Sequence, residues 1–233
     1  MGPEIPARAL PFVLSLIAGS TDTISFLGLI GLFTAHITGN VIILAAHLIT
    51  GDPAVVSYIL AVPIFMLVLL LTSLFANDLE RSGVATLRLL LLLQLLLLVG
   101  FLALSVIYRA NVDPALAVVT GMTGVAAMAV QTALVQVSLK GTPSTGVMTT
   151  NVTQFIVALA EVLARCEVST VEKARARMFH IMPVIGGFVL GCALGAASEE
   201  LWGLRSLGLP TALALLAVML TRLPAPANRP HRA

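Results

Sequence analysis

Charge is what this sequence has least of. Only 10% of its 233 residues are Asp, Glu, Lys or Arg, against about 25% in a typical soluble domain. A soluble fold must cover its surface with polar groups, and 13 basic and 11 acidic side chains cannot do that here. Most of them fall in short clusters between long uncharged stretches. Cysteine is also scarce. Cys166 and Cys192 are the two present, too few for a disulfide framework and without the spacing of a metal site. Cys192 lies in an apolar stretch and reads as a small packing residue. There is no Gly-rich phosphate loop before a Lys, no His-Glu-x-x-His and no nucleophile motif in a credible context. Gly28 and Gly31 do not make a dinucleotide fingerprint. No cofactor, metal or catalytic residue is therefore expected. The net charge of +2 comes from residues that mostly flank apolar runs, where membrane topology accounts for them without nucleic acid.

Apolar sequence fills the space that charge leaves. Hydrophobic residues make up 58% of the chain, in continuous Leu- and Ala-rich runs. About 20 helical residues cross a hydrocarbon core of roughly 30 Å. Continuous runs favour helices over the alternating strands of a barrel. The pattern predicts an all-α, polytopic helical membrane protein, one membrane domain over 1–233. The Pro- and Arg-rich tail 222–233 is expected to be disordered. Arg8 and the run Leu10–Ala18 imitate a signal peptide, but hydrophobicity resumes through Ile24 to Leu32, so an uncleaved span is expected.

The spans read as Phe12–Leu32, Ala54–Ala76, Leu89–Tyr108, Ala115–Leu139, Met178–Ala197 and a last weaker one ending near Thr221. Two short pieces interrupt the series. They are Phe33–Ile49, broken by Gly39-Asn40, and Gly146–Leu163. Gly51-Asp52-Pro53 and Lys140–Pro143 read as turns, and Asn77–Arg88, Arg109–Pro114, Ala164–Arg177 and Ser198–Arg205 as polar segments.

The order of elements recurs, which predicts internal repeats over 10–110 and 114–222. Pro63 answers to Pro183, Gly31–Thr38 to Gly146–Thr153, and Asp22-Thr23 to Gln131-Thr132. If neither short piece crosses, the chain has six spans and inverted halves. With a cytoplasmic N-terminus, only Arg109 and Arg205 of the 13 basic residues then lie outside, as the positive-inside rule favours. Both termini are then cytoplasmic. Eight spans is the alternative. Inverted repeats with matching interrupted segments are a transporter arrangement.

Polar residues inside apolar runs are the candidate site. Asp22 must face a bundle interior or a wet cavity, because an unpaired carboxylate in hydrocarbon costs several kcal/mol or takes up a proton. His36, Thr38, Gly39 and Asn40 form the densest cluster, suited to a broken helix lining a site or to a loop cap. Gln131, Thr149, Thr150, Asn151 and Thr153 are the counterpart, suited to a neutral substrate, an ion, or helix packing alone. Gly187, Gly191 and Gly195 share one helix face and let another helix approach closely, within the chain or in a homo-oligomer.

The run Ala18-Gly19-Ser20-Thr21-Asp22-Thr23-Ile24-Ser25-Phe26-Leu27, with Phe33-Thr34-Ala35-His36-Ile37-Thr38-Gly39-Asn40, resembles the signature of the YoaK-like bacterial membrane proteins, also described as the family of unknown function DUF1275. Asp22, Ser25, Phe26, Phe33, Ala35, Thr38, Gly39 and Asn40 fit it, and Thr23 replaces the usual Ala. The second motif of that family is degraded here. Gln131, Ala133, Thr149, Thr150, Val152 and Thr153 remain, but Thr132 stands for Asn and Gln154 for Gly. The resemblance implies a multi-pass protein of the bacterial cytoplasmic membrane and no established activity.

Three functions compete. The first is a small secondary transporter or exporter whose partners are the lipid bilayer and an unknown small molecule or ion. The second is a non-transporting scaffold or accessory protein. The third, and least supported, is an enzyme acting on lipid, for which only His36 with Asp22 could supply acid and base.

Overall fold

The computed structural model describes residues 5–50, 55–81, 86–110, 113–164 and 168–221. The expected turn at Gly51-Asp52-Pro53, Cys166 and the tail 222–233 lie outside the described residues. Most of the rest is helical, and residues 29–36 and 139–147 form two loops. In chain order the helices are α1 (Ile5–Gly28), α2 (Ile37–Thr50), α3 (Val55–Arg81), α4 (Thr86–Ala110), α5 (Pro114–Ser138), α6 (Met148–Leu163), α7 (Val168–Trp202) and α8 (Gly208–Leu220). A 3-10 turn, Gly203–Leu207, connects the last two. Among the described residues, five stretches are long and apolar enough to cross a membrane: Ala9–Gly28, Val55–Glu80, Thr86–Tyr108, Pro114–Ser138 and Val168–Leu220. With 14 residues in α2 and 16 in α6, these helices reach only about 21 and 24 Å at 1.5 Å per residue. Both fall short of the hydrocarbon thickness.

Several boundaries differ from the sequence expectation for local reasons. The first helix stops at Gly28, not Leu32, because Ile30 (φ 53) and Gly31 (φ 81) take left-handed backbone. The Gly31 N–H then donates to Phe26 O at 2.9 Å, closing the helix end. Gly39 and Asn40 do not break the short piece. They lie in the first turn of α2, and the break precedes them at residues 29–36. The segment Ser198–Arg205 is not a loop. Glu199 to Trp202 extend α7, and the chain turns only at Gly203 (φ 60). Most of the charged segment before Met178 likewise belongs to α7, as its first turns.

Ile30 is a β-branched residue in a conformation that costs an L-residue roughly 1–2 kcal/mol. The Tyr58 hydroxyl on α3 donates to Ile30 O and holds it there. Ile30→Gly relieves the strain at an exposed side chain. It is expected to stabilise the detergent-solubilised protein by about 0.5–1 kcal/mol, read as a higher melting temperature.

The most buried spans, α1 and α5, sit at the centre of the bundle. The largest interface joins α1 to α7. Its seam is the glycine row. A Cβ on Gly187 would lie 2.6 Å from Phe12 O, one on Gly191 2.5 Å from Leu16 O, and one on Gly195 2.9 Å from Ser20 Cα. The row thus packs within the chain, and α1 and α7 meet in the same residue order, so they run in one direction. The other main pairings are α3 with α5, α4 with α5, α1 with α8, α4 with α8, α2 with α3 and α6 with α7. Exchanging α1–α4 for α5–α8 turns each of these main pairings into another of them or, for α4 with α8, into itself. On the outer face α3 presents Met66, Leu67, Leu70, Leu71 and Leu74, all exposed. Exposed leucines on this scale need an apolar solvent, so this is a multi-pass membrane protein that meets the lipid bilayer.

Candidate functional site

Leaving α1, the chain turns back along it before α2 begins. A returning loop has backbone N–H and C=O groups that hydrocarbon cannot satisfy. Two side chains satisfy them here. Asp22 on α1 is 3% exposed. Its Oδ1 accepts from Thr34 N–H, the Thr34 hydroxyl and Ala35 N–H, each at 2.7 Å. Its Oδ2 meets His36 Nδ1. Asn40, fully buried, reaches back from α2 and brackets Phe33. Its Oδ1 accepts from Phe33 N–H at 3.0 Å, and its Nδ2 donates to Phe33 O at 2.7 Å. The carboxylate also sits at the positive N-terminal end of α2, where an anion is favoured.

His36 is the member of this cluster with an open side. Its side chain is 34% exposed. The ring lies 5.7 Å from the Phe33 ring and 5.6 Å from the Phe188 ring on α7. Asp22 occupies Nδ1, so Nε2 is the nitrogen left to an incoming group or proton. A carboxylate on one imidazole nitrogen fixes the tautomer and the ring orientation.

The second half builds a similar network from uncharged groups. Asn151 Nδ2 donates to Ser144 O at 2.6 Å, seven residues back, as Asn40 does to Phe33. Gln131 on α5 donates from Nε2 to Thr145 Oγ1 at 3.0 Å and to Leu14 O at 2.9 Å. Its Oε1 accepts from Gln94 Nε2 on α4 at 2.6 Å. In these bonds Asn151 answers to Asn40, Thr145 to Thr34, and Gln131 to Asp22. That register differs from the one that matches Gly31 with Gly146. The two loops come close together: a Cβ on Gly146 would lie 3.7 Å from the Ala35 Cβ.

Of the residues singled out in the sequence, Asp22, His36 and Asn40 are gathered in the first loop, and Gln131 and Asn151 hold the second. Thr38, Thr149, Thr150 and Thr153 are exposed on α2 and α6 and join neither hydrogen-bond network. Gly39 serves packing: a Cβ there would come within 2.9 Å of the Phe33 ring. Sequence reasoning missed Thr34, Thr145 and Gln94. The two threonines act partly through position and backbone, which side-chain chemistry does not advertise. Gln94 did carry a signal, as the one amide in a leucine-rich span. Among the described residues, no group of three His, Cys, Asp or Glu side chains gathers as a metal site.

No curated protein and no solved structure matches the chain. Residues 10–220 match the family model described as "Protein of unknown function (DUF1275)", and the chain belongs to that family.

Proposed function

We propose that this chain is a small secondary transporter of the bacterial cytoplasmic membrane, with Asp22 and His36 as its proton-carrying pair. The observation that carries the reading is the meeting of two interrupted loops at Ala35 and Gly146, between the central helices. Transporters with internal repeats place their sites where interrupted segments from the two halves converge near the bilayer midplane. The network around Asp22 and His36 holds titratable groups, whereas the Gln131–Thr145 and Asn151–Ser144 bonds of the second loop join uncharged groups. The unequal pair lets one half change charge while the other provides a neutral amide.

The reading includes a duplicated, inverted architecture of six crossings, with both termini cytoplasmic. Inversion is supported by the direction of the two central helices. Leu14 on α1 meets Gln131 on α5. Further along α1, Asp22 holds Thr34, and a Cβ on Gly124 would lie 2.9 Å from the Thr34 methyl. Advancing along α1 is therefore retreating along α5. Halves of opposite direction require an odd number of crossings each, which agrees with α2 and α6 not crossing; α8, no longer than they are, crosses together with the 3-10 turn before it.

A pH jump across protein-containing liposomes on a solid-supported membrane tests the proton role without a known substrate. Wild type is expected to show a transient displacement of charge. Asp22→Asn and His36→Gln are expected to abolish it, and Thr38→Ala to keep it. No charge movement in folded wild-type protein sinks the proposal.

One observation favours the scaffold reading instead. Both oxygens of the Asp22 carboxylate already have protein partners, which is what a purely structural lock needs. On that reading Asp22→Ala alters stability or assembly, Asp22→Asn changes little, and the wild type moves no charge.

A further inference from the structure

A polar cleft of about 480 Å³ opens where the loop between α5 and α6 faces α7. It is separate from the Asp22–His36 pair. Its polar side chains include Gln136, Thr150, Gln154, Arg177 and His180, and among the described residues no Asp or Glu lines it. Arg177 is the charged group of this lining. The guanidinium of Arg177 offers a planar fork suited to carboxylate or phosphate oxygens. His180 Nε2 lies 3.0 Å from Gly141 O. A carbonyl can only accept, so Nε2 carries the proton and pins the loop to α7. Val147, at the start of α6, makes no side-chain cap bond, so the positive end of that helix adds to the field at the cleft.

Arg177 has one anionic neighbour. Glu161 Oε2 on α6 lies 3.5 Å away, with both side chains partly exposed. A pair this long and this wet contributes little, so a better-placed anion can displace it. Glu161 does not line the cleft, and it acts as an internal competitor for the guanidinium.

We infer that this cleft binds a small organic anion of the phosphate or carboxylate class, with Arg177 as the recognising group and Glu161 as its competitor. The inference does not rest on transport, because binding is measurable without flux. A free anion and the headgroup of an anionic lipid present the same oxygens to the fork, and the experiment separates them. Purified, delipidated protein in detergent is titrated with glycerol 3-phosphate by calorimetry. In parallel, native mass spectrometry counts retained phosphatidylglycerol against phosphatidylcholine.

At least one anionic probe is expected to bind. Saturable binding of glycerol 3-phosphate assigns a free anion, and selective retention of phosphatidylglycerol alone assigns a headgroup. Arg177→Gln is expected to weaken that binding about tenfold or more, as for loss of a charge-assisted hydrogen bond. Arg177→Lys should fall between. Glu161→Gln should tighten binding severalfold, an outcome that a merely structural role for the ion pair does not produce. Arg175→Gln, which removes a neighbouring charge outside this cleft, should change binding little. The inference is overturned if wild type binds neither probe, if folded Arg177→Gln binds as well as wild type, or if Glu161→Gln does not tighten binding. Anion binding without charge movement on a pH jump would remove the transport reading and leave this site standing.

Discussion

Asp22→Ala is expected to destabilise the protein by about 3–6 kcal/mol, while Asp22→Asn stays within about 1–2 kcal/mol of wild type. The difference follows from counting donors. Alanine leaves Thr34 N–H, the Thr34 hydroxyl and Ala35 N–H without the Oδ1 that accepts all three. The loop sits in an apolar bundle where water does not readily replace that oxygen. Each unsatisfied buried donor costs about 1–3 kcal/mol, less whatever relaxation recovers. Asparagine keeps an acceptor in the same place. Its Nδ2 can donate to His36 Nδ1 once the imidazole proton moves to Nε2. The amide thus preserves the lock and removes the charge. Melting temperatures of the two variants in one detergent check the ordering. Equal losses from both would mean that the carboxylate's charge, rather than its acceptor geometry, holds the loop. Read beside the pH-jump experiment, a folded but electrically silent Asp22→Asn protein separates the structural role of this residue from its proton role.

Gly191→Ala is expected to cost about 3 kcal/mol or more and to lower the yield of folded protein sharply. Its Cβ would lie 2.5 Å from Leu16 O, 3.0 Å from Leu16 Cα and 3.1 Å from Leu16 C. These are backbone atoms of the central helix and cannot swing aside as a side-chain end can. Relief requires moving α1 from α7, which loosens the largest interface in the bundle. Overpacking of this kind ordinarily costs 1–3 kcal/mol, and more where nothing flexible yields. Gly186 provides the control. Nothing lies within 4 Å of a Cβ placed there, so Gly186→Ala should be neutral or stabilising by up to about 1 kcal/mol through helix propensity. Thermal unfolding and the monodisperse fraction on size exclusion report both. If the two alanine variants behave alike, the close α1–α7 seam is not a main source of stability.

Class and spans were legible because hydrocarbon imposes one composition along a whole helix, and that composition shows without any partner. Asp22, Asn40, Gln131 and Asn151 were legible for the same reason, since a polar group inside an apolar run is costly wherever it faces. Thr38, Thr149, Thr150 and Thr153 show the limit. Threonine is cheap on either face of a helix, so type and spacing alone could not tell that these four point away from the core. Loop register was hidden too. The match of Gly31 with Gly146 follows apparent sequence likeness, but hydrogen bonds set Asn40 against Asn151. The side chain of each asparagine reaches back seven residues, and short-range periodicity does not register such a reach. The glycine row announced a close crossing, yet its partner, α1, lies more than 150 residues earlier in the chain. No local signal spans that separation.

That separation has a consequence for how the protein is made. The closest neighbour of α1 is α7, and α3 packs on α5. Neither half is a finished unit when it leaves the ribosome. At roughly 5–20 residues per second, α1 waits on the order of ten seconds or more for the glycines that will face it. During that wait the carbonyl edge at Phe12, Leu16 and Ser20 and the carboxyl group of Asp22 lie beside lipid or beside the insertion machinery. The first loop closes with groups drawn only from residues 22–40, so its polar atoms can be sheltered long before the bundle exists. Self-sufficient local hydrogen bonding of this kind lets a membrane chain postpone its long-range assembly without stranding charge in the bilayer.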